Sequence, residues 1–158
     1  MYSLENIARI ALTVALLLLA AIIHEVAHGF VAHLCGDDTA KEAGRLTLNP
    51  AKHLDPFGSV VLPLLMAIAG GFVFSYAKPV PYNPYRLKNR RRDEVLVAIA
   101  GPASNILQAL IGAVCFNGAW ALVEANNELY FAGAEVLGMT GMQWLLTALS
   151  TYVWVNLM

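Results

Sequence analysis

Charge is scarce in this sequence and unevenly spread. Only 13% of the 158 residues are Asp, Glu, Lys or Arg, against the ~25% of an ordinary soluble domain. With 58% apolar residues, much of the chain is excluded from facing water. A basic excess is also missing: the net charge is −1, which argues against nucleic-acid binding through bulk electrostatics. Cysteine is nearly absent. Cys35 and Cys115 lie far apart with no C-x-x-C spacing, which gives neither a disulfide framework nor a cysteine metal knuckle and leaves buried free thiols as the expectation.

What the sequence does have is long charge-free runs. Residues 57–77, 95–123 and 136–158 each reach the ~20 residues that a spanning helix needs. A fourth run, 7–34, qualifies if it tolerates the cluster His24, Glu25 and His28. The expected fold is an all-α polytopic membrane protein, with residues 1–158 forming a single membrane-embedded core. It has about three spanning helices plus a membrane-embedded re-entrant helix and extended segment, or four spans if 57–77 crosses. A cleaved signal peptide ending near Ala20 and Ala21 is the competing account of the N-terminus, but the helical pattern runs on through the cluster.

That cluster, "HEVAH", carries the chemistry. His24 and His28 are four residues apart and fall ~40° from each other on one helix face. Two imidazoles from one turn can therefore hold one metal ion, with Glu25 beside them as general base. This is the H-E-x-x-H arrangement of zinc hydrolases. Ionisable groups in a membrane helix cost ~2.5–3.5 kcal/mol each even on the lenient insertion scale, so they are usually functional. A hydrogen-bonded helix contact is the alternative reading. His33, nine residues after His24 and ~180° around the helix, is expected outside the site.

Several blocks together resemble one family, the site-2 proteases, which are intramembrane zinc metalloproteases. The blocks are "HEVAHGFVAHLCGDDTA" at 24–40, "GRLTLNPAKHLDPFGS" at 44–59, "YAKPVPYNPYRLKNRRRDEVLVAIAGPASN" at 76–105 and the final "VNLM". The resemblance is to the compact prokaryotic subgroup without PDZ or CBS domains. It implies Zn2+ as cofactor, Glu25 as catalytic base, His24 and His28 as ligands, and a third ligand, an Asp in a Leu-Asp-Gly segment, beyond Met158. The chain is thus expected to be incomplete at its C-terminus. His53 and Asp55 are candidate substitutes, although a turn or supporting role suits them better. "GPASN" matches the family's Gly-Pro-x-x-Asn element, which makes Gly101, Pro102 and Asn105 candidates for substrate binding or site support. A kinked packing site is the alternative. "KPVPYNP" is too proline-rich for a helix and reads as an extended segment, able to present backbone groups to a substrate strand or serving as a plain linker.

Basic residues set the expected orientation. "YRLKNRRR" at 85–92 holds five, loop 36–55 holds Lys41, Arg45 and Lys52, and loop 124–135 has three acids and no Lys or Arg. If 57–77 re-enters, both basic loops are cytoplasmic and the site opens to that side. The expected protein is a multi-pass integral protein of a prokaryotic cell membrane. It acts as an endopeptidase on transmembrane segments of other proteins, with the lipid bilayer and a membrane-protein substrate as partners and no nucleic acid. An inactive site-2-protease-like membrane binding protein is the alternative. A metal transporter would leave Glu25 and the two later motifs unexplained.

Overall fold

The structure, a computed structural model, describes residues 3–70 and 78–158. Among the described residues the α-helices are α1 Leu4–Leu34, α2 Thr39–Glu42, α3 Leu62–Ile68, α4 Arg90–Ala125, α5 Glu128–Phe131 and α6 Gly141–Leu157. A π-wound stretch, Pro56–Val61, leads into α3. No strand forms among these residues beyond one isolated bridge between Val136 and Met139.

Local sequence sets the ends of the two long helices. Ser3 caps α1 by accepting a hydrogen bond from the Asn6 N–H, and Glu5 sits in the first turn where the helix dipole favours an acid. The helix stops at Cys35, followed by Gly36 at φ +104°. Asn89 caps α4, whose 36 residues include Pro102. At ~1.5 Å per residue, 31 and 36 residues exceed the ~30 Å hydrocarbon core. These two helices are long and apolar enough to cross a membrane.

Their packing inverts that of a soluble helix. Ile106, Leu107, Leu110, Ile111 and Val114 of α4 are exposed, while Gly101, Ala109, Gly112 and Ala119 are buried. Small residues inside and large apolar ones outside suit helices that approach closely and face lipid. Helices α1, α4 and α6 pack against one another, with α1 and α4 antiparallel. At one end the Lys88 N–H donates to the Cys35 carbonyl (3.0 Å). At the other, Arg9 reaches Met139 Sδ (3.1 Å).

The cysteines are free but not buried: Cys35 is half-buried and Cys115 is exposed on α4 among residues suited to lipid. Two further expectations are refined. The run 136–158 is helical only from Gly141, because Thr140 and Gln143 form a capping box there and residues 136–139 turn. At 17 residues α6 lies at the lower limit for a span. In the described part of the run 57–77 the helix ends at Ile68, after which Gly70 adopts φ +72°; the expected extended return at 71–77 lies outside the described residues. The Lys78 N–H donates to the His53 carbonyl (2.7 Å), which ties residue 78 to the chain just ahead of that run. The two basic loops meet at the same end of α1 and α4, where Arg86 pairs with Glu42 (2.8 Å).

Candidate metal centre

Helix α1 places His24, Glu25 and His28 on adjoining positions of its face, and α4 crosses them at Gly101. A Cβ on Gly101 would lie inside the van der Waals envelope of both His24 Nε2 and His28 Nε2. Only glycine lets the α4 backbone lie over the imidazole pair. The two Nε2 atoms face each other at 3.0 Å, with the rings at 78°.

The other ring nitrogens decide what that approach means. His28 Nδ1 lies 2.6 Å from the Val97 carbonyl, an acceptor only, so Nδ1 must carry the proton. His24 Nδ1 lies 3.2 Å from Asn105 Oδ1, which again makes it the donor. With both protons on Nδ1, two Nε2 lone pairs converge and cannot hydrogen-bond each other. A shared cation resolves the repulsion. Two nitrogens ~2.0–2.1 Å from one tetrahedral zinc stand about 3.3 Å apart, close to the separation found. Metal-bound histidines characteristically donate their second nitrogen to a carbonyl or amide oxygen in this way. The residues present therefore fit a metal ion, although no third His, Cys, Asp or Glu joins the pair among the described residues.

Glu25 is held from a different direction. Its Oε2 accepts a hydrogen bond from the Val80 N–H (2.9 Å). Residues 78–83 run as an extended strap across α1, seated where Gly29 leaves room: a Cβ there would come within 2.6 Å of Val80 Cγ1. The strap is fastened at both ends. Arg45 Nη2 donates to the carbonyls of Lys78 (2.7 Å) and Pro79 (3.3 Å). At the far end the Asn83 N–H donates to buried Asp37, which also accepts from the Thr39 hydroxyl and N–H. Burial alone would push the Asp37 carboxyl pKa up, but these three donors outweigh it and hold it below the usual range. A cavity of about 180 Å³, lined by Glu25, His28, Val80, Tyr82, Val97 and Ala98, lies between strap and helices.

The structure thus brings together His24, Glu25, His28, Gly101 and Asn105. Pro102 it does not: its side chain is exposed on the outside of α4. It has no N–H to return to the carbonyl of Ala98, one of the cavity-lining residues. His33 stands apart, paired with Asp38. His53 is buried and bonds the Thr47 carbonyl through Nε2 (2.7 Å), and Asp55 caps the turn that opens Pro56–Val61. Val97, Val80, Arg45 and Asp37 were not foreseen. The first two act through backbone atoms, which leave no mark in a sequence. Gln108, a polar residue inside a charge-free run, was a visible signal.

Comparison with known proteins gives a consistent answer. The chain is 51% identical over 96 residues to a Bacillus subtilis protein named "Putative zinc metalloprotease YwhC", covering 61% of this chain and 41% of that one. It is 30% identical over 130 residues to "Putative zinc metalloprotease Rip2" of Mycolicibacterium smegmatis, covering 80% and 47%. The chain thus spans less than half the length of these curated relatives. No solved structure matches it. Residues 12–154 match the family model of peptidase family M50, and the chain belongs to that family, the site-2 proteases.

Proposed function

We propose that this chain is the core of an intramembrane zinc endopeptidase that hydrolyses peptide bonds within transmembrane segments of other proteins. The observation that carries the reading is the convergence of His24 Nε2 and His28 Nε2 at 3.0 Å beneath Gly101, with Glu25 alongside. His24 and His28 would hold zinc, and the family resemblance implies an Asp as the third ligand. When bound there, zinc would supply Lewis acidity for the scissile carbonyl and for a water. Glu25 would take the proton of that water. The Val80 N–H occupies Oε2 and fixes the carboxylate, so Oε1 is the atom left to receive it. Gly101 and Asn105 support the ligands, and Pro102 acts through the freed Ala98 carbonyl.

The strap contributes shape and backbone to the substrate site. Its N–H groups at Lys78, Val80 and Asn83 are already used within the chain, and Pro79 and Pro81 have none. An unwound substrate strand would therefore meet mainly carbonyl acceptors there.

The protein sits in a prokaryotic cell membrane as a multi-pass protein, with 57–77 re-entering and the site towards the cytoplasm. The meeting of loops 36–55 and 85–92 at one end of the helices supports this. Cysteines at Lys41 and Lys88 should both resist a membrane-impermeant reagent in intact cells; labelling of one alone would overturn re-entry.

The function is tested by zinc content and cleavage together. The full-length protein should bind one zinc, lost in His24→Ala and His28→Ala, and should cleave a membrane-embedded substrate. Zinc retained in both variants would remove the ligand assignment. Zinc bound without cleavage of any membrane segment would favour the inactive binding protein.

A further inference from the structure

Asn105 is one link of a longer polar chain that crosses all three packed helices. From His24 on α1, Nδ1 meets Asn105 Oδ1 on α4 at 3.2 Å. Gln108 Nε2, one turn along α4, donates to the same Oδ1 at 3.4 Å. Gln108 Oε1 in turn accepts from the Tyr152 hydroxyl of α6 at 2.6 Å. Gln108 is 6% exposed, in a stretch where nearly every neighbour is apolar.

A side-chain amide has two unlike ends, and which end faces His24 matters. With Oδ1 towards the ring, Nδ1 holds the proton and Nε2 offers its lone pair. With the NH2 turned towards the ring, the proton is driven to Nε2, where a metal would bind. Asn105 alone can turn either way. Gln108 Nε2 on Oδ1 favours the useful orientation, and the Tyr152 hydroxyl on Oε1 favours the matching orientation of Gln108. Buried amides in an apolar setting reverse only by leaving polar atoms unpaired, so each member holds the next.

We propose that Gln108 and Tyr152 are positioning residues for His24, acting through Asn105 to hold the imidazole in its metal-binding tautomer and to couple α6 to the metal centre. The inference rests on the reading of His24 and His28 as zinc ligands. The closeness of α6 that it needs is built in at Gly112, where a Cβ would meet Val153 Cγ2 at 3.0 Å and Tyr152 Cδ1 at 3.3 Å. The Asn156 amide, one turn on, donates to the Tyr152 carbonyl (2.9 Å) and helps hold this part of α6. His28 needs no such chain, because a backbone carbonyl cannot turn round.

The test is the zinc dissociation constant of the full-length protein, measured by chelator competition, with the visible bands of the Co2+-loaded form as a second readout. Gln108→Met keeps the side-chain length and removes both polar ends; Tyr152→Phe removes only the hydroxyl. Gln108→Met should weaken zinc binding by about 10-fold, in the range for outer-shell partners, and shift the cobalt bands. Tyr152→Phe should do the same by a smaller factor. In an Asn105→Ala background Gln108→Met should change affinity by less than about twofold, because its effect travels through Asn105. Unchanged affinity and bands in both single variants would overturn the relay, as would an equal loss with and without Asn105. Should Gln108→Met fail to fold, Tyr152→Phe carries the same comparison. A wild-type protein that binds no zinc would overturn the ligand reading itself.

Discussion

The two sides of the candidate site are built by opposite means. On the histidine side, α1 meets α4 and α6 through side chains on rigid helices: Asn105, Gln108 and Tyr152 reach His24, and one carbonyl of α4 reaches His28. On the glutamate side, among the described residues, no helix other than α1 bonds Glu25. A strap of six residues does so through the Val80 N–H, and loop residues Arg45 and Asp37 hold the strap. Helix-borne ligands suit a metal, which needs fixed distances. A base carried against a loop-fastened segment suits a group that must accept a proton while substrate enters beside it. The difference implies that damage to one side should appear in metal affinity and damage to the other in rate.

Glu25→Gln gives the largest separation of the two. It keeps the side-chain length and leaves both histidines intact, so zinc should stay bound while cleavage falls by ~10²–10⁴-fold. Near-normal turnover by zinc-loaded Glu25→Gln protein would place the base elsewhere. Gly101→Ala is the counterpart on the histidine side. A methyl group between the two Nε2 atoms should weaken zinc by at least ~100-fold, the upper end of what an outer-shell change costs. Unchanged zinc affinity in this variant would show that α4 does not lie over the pair.

Arg45→Met sharpens the comparison at a distance. It frees the Lys78 and Pro79 carbonyls and loosens the strap, so kcat should drop by roughly 10-fold, within the cost of a misplaced catalytic group, with zinc affinity unchanged. A matching loss of zinc would mean that the two sides are one mechanical unit.

The smallest effect concerns pH. Because Asp37 has a lowered pKa in the folded protein, its contribution is complete above the ordinary Asp value of about 4 and is lost as pH falls through the lowered value. Hydrogen-exchange protection at the Asn83 amide should follow that course, and Asp37→Asn should reduce it at neutral pH. Protection that persists in Asp37→Asn at neutral pH would show that the strap's far end is held by something else.

The sequence alone determined the features that depend on short spacing. His24 and His28 share a helix face because four residues make just over one turn, and no packing is needed to know it. The charge-free runs likewise announced helices suited to lipid, and the three prolines at 79, 81 and 84 kept that stretch out of an α-helix, with only a short 3-10 turn starting at Pro84. The capping box that delays α6 to Gly141 was legible in principle from Thr140 and Gln143. Only the tertiary structure decided what each titratable atom faces. The partner of His28 is 69 residues away and is a carbonyl, and the partner of Glu25 is 55 residues away and is an N–H. Every residue has such groups, so composition cannot single them out. Gly101 stood out in sequence as part of the Gly-Pro-x-x-Asn element, but that it lies over both imidazoles depends on the crossing of α1 and α4, as the exposure of neighbouring Pro102 also does. Such crossings are fixed by the fit of small residues along whole helices, a property of the assembled surface and not of any local pattern.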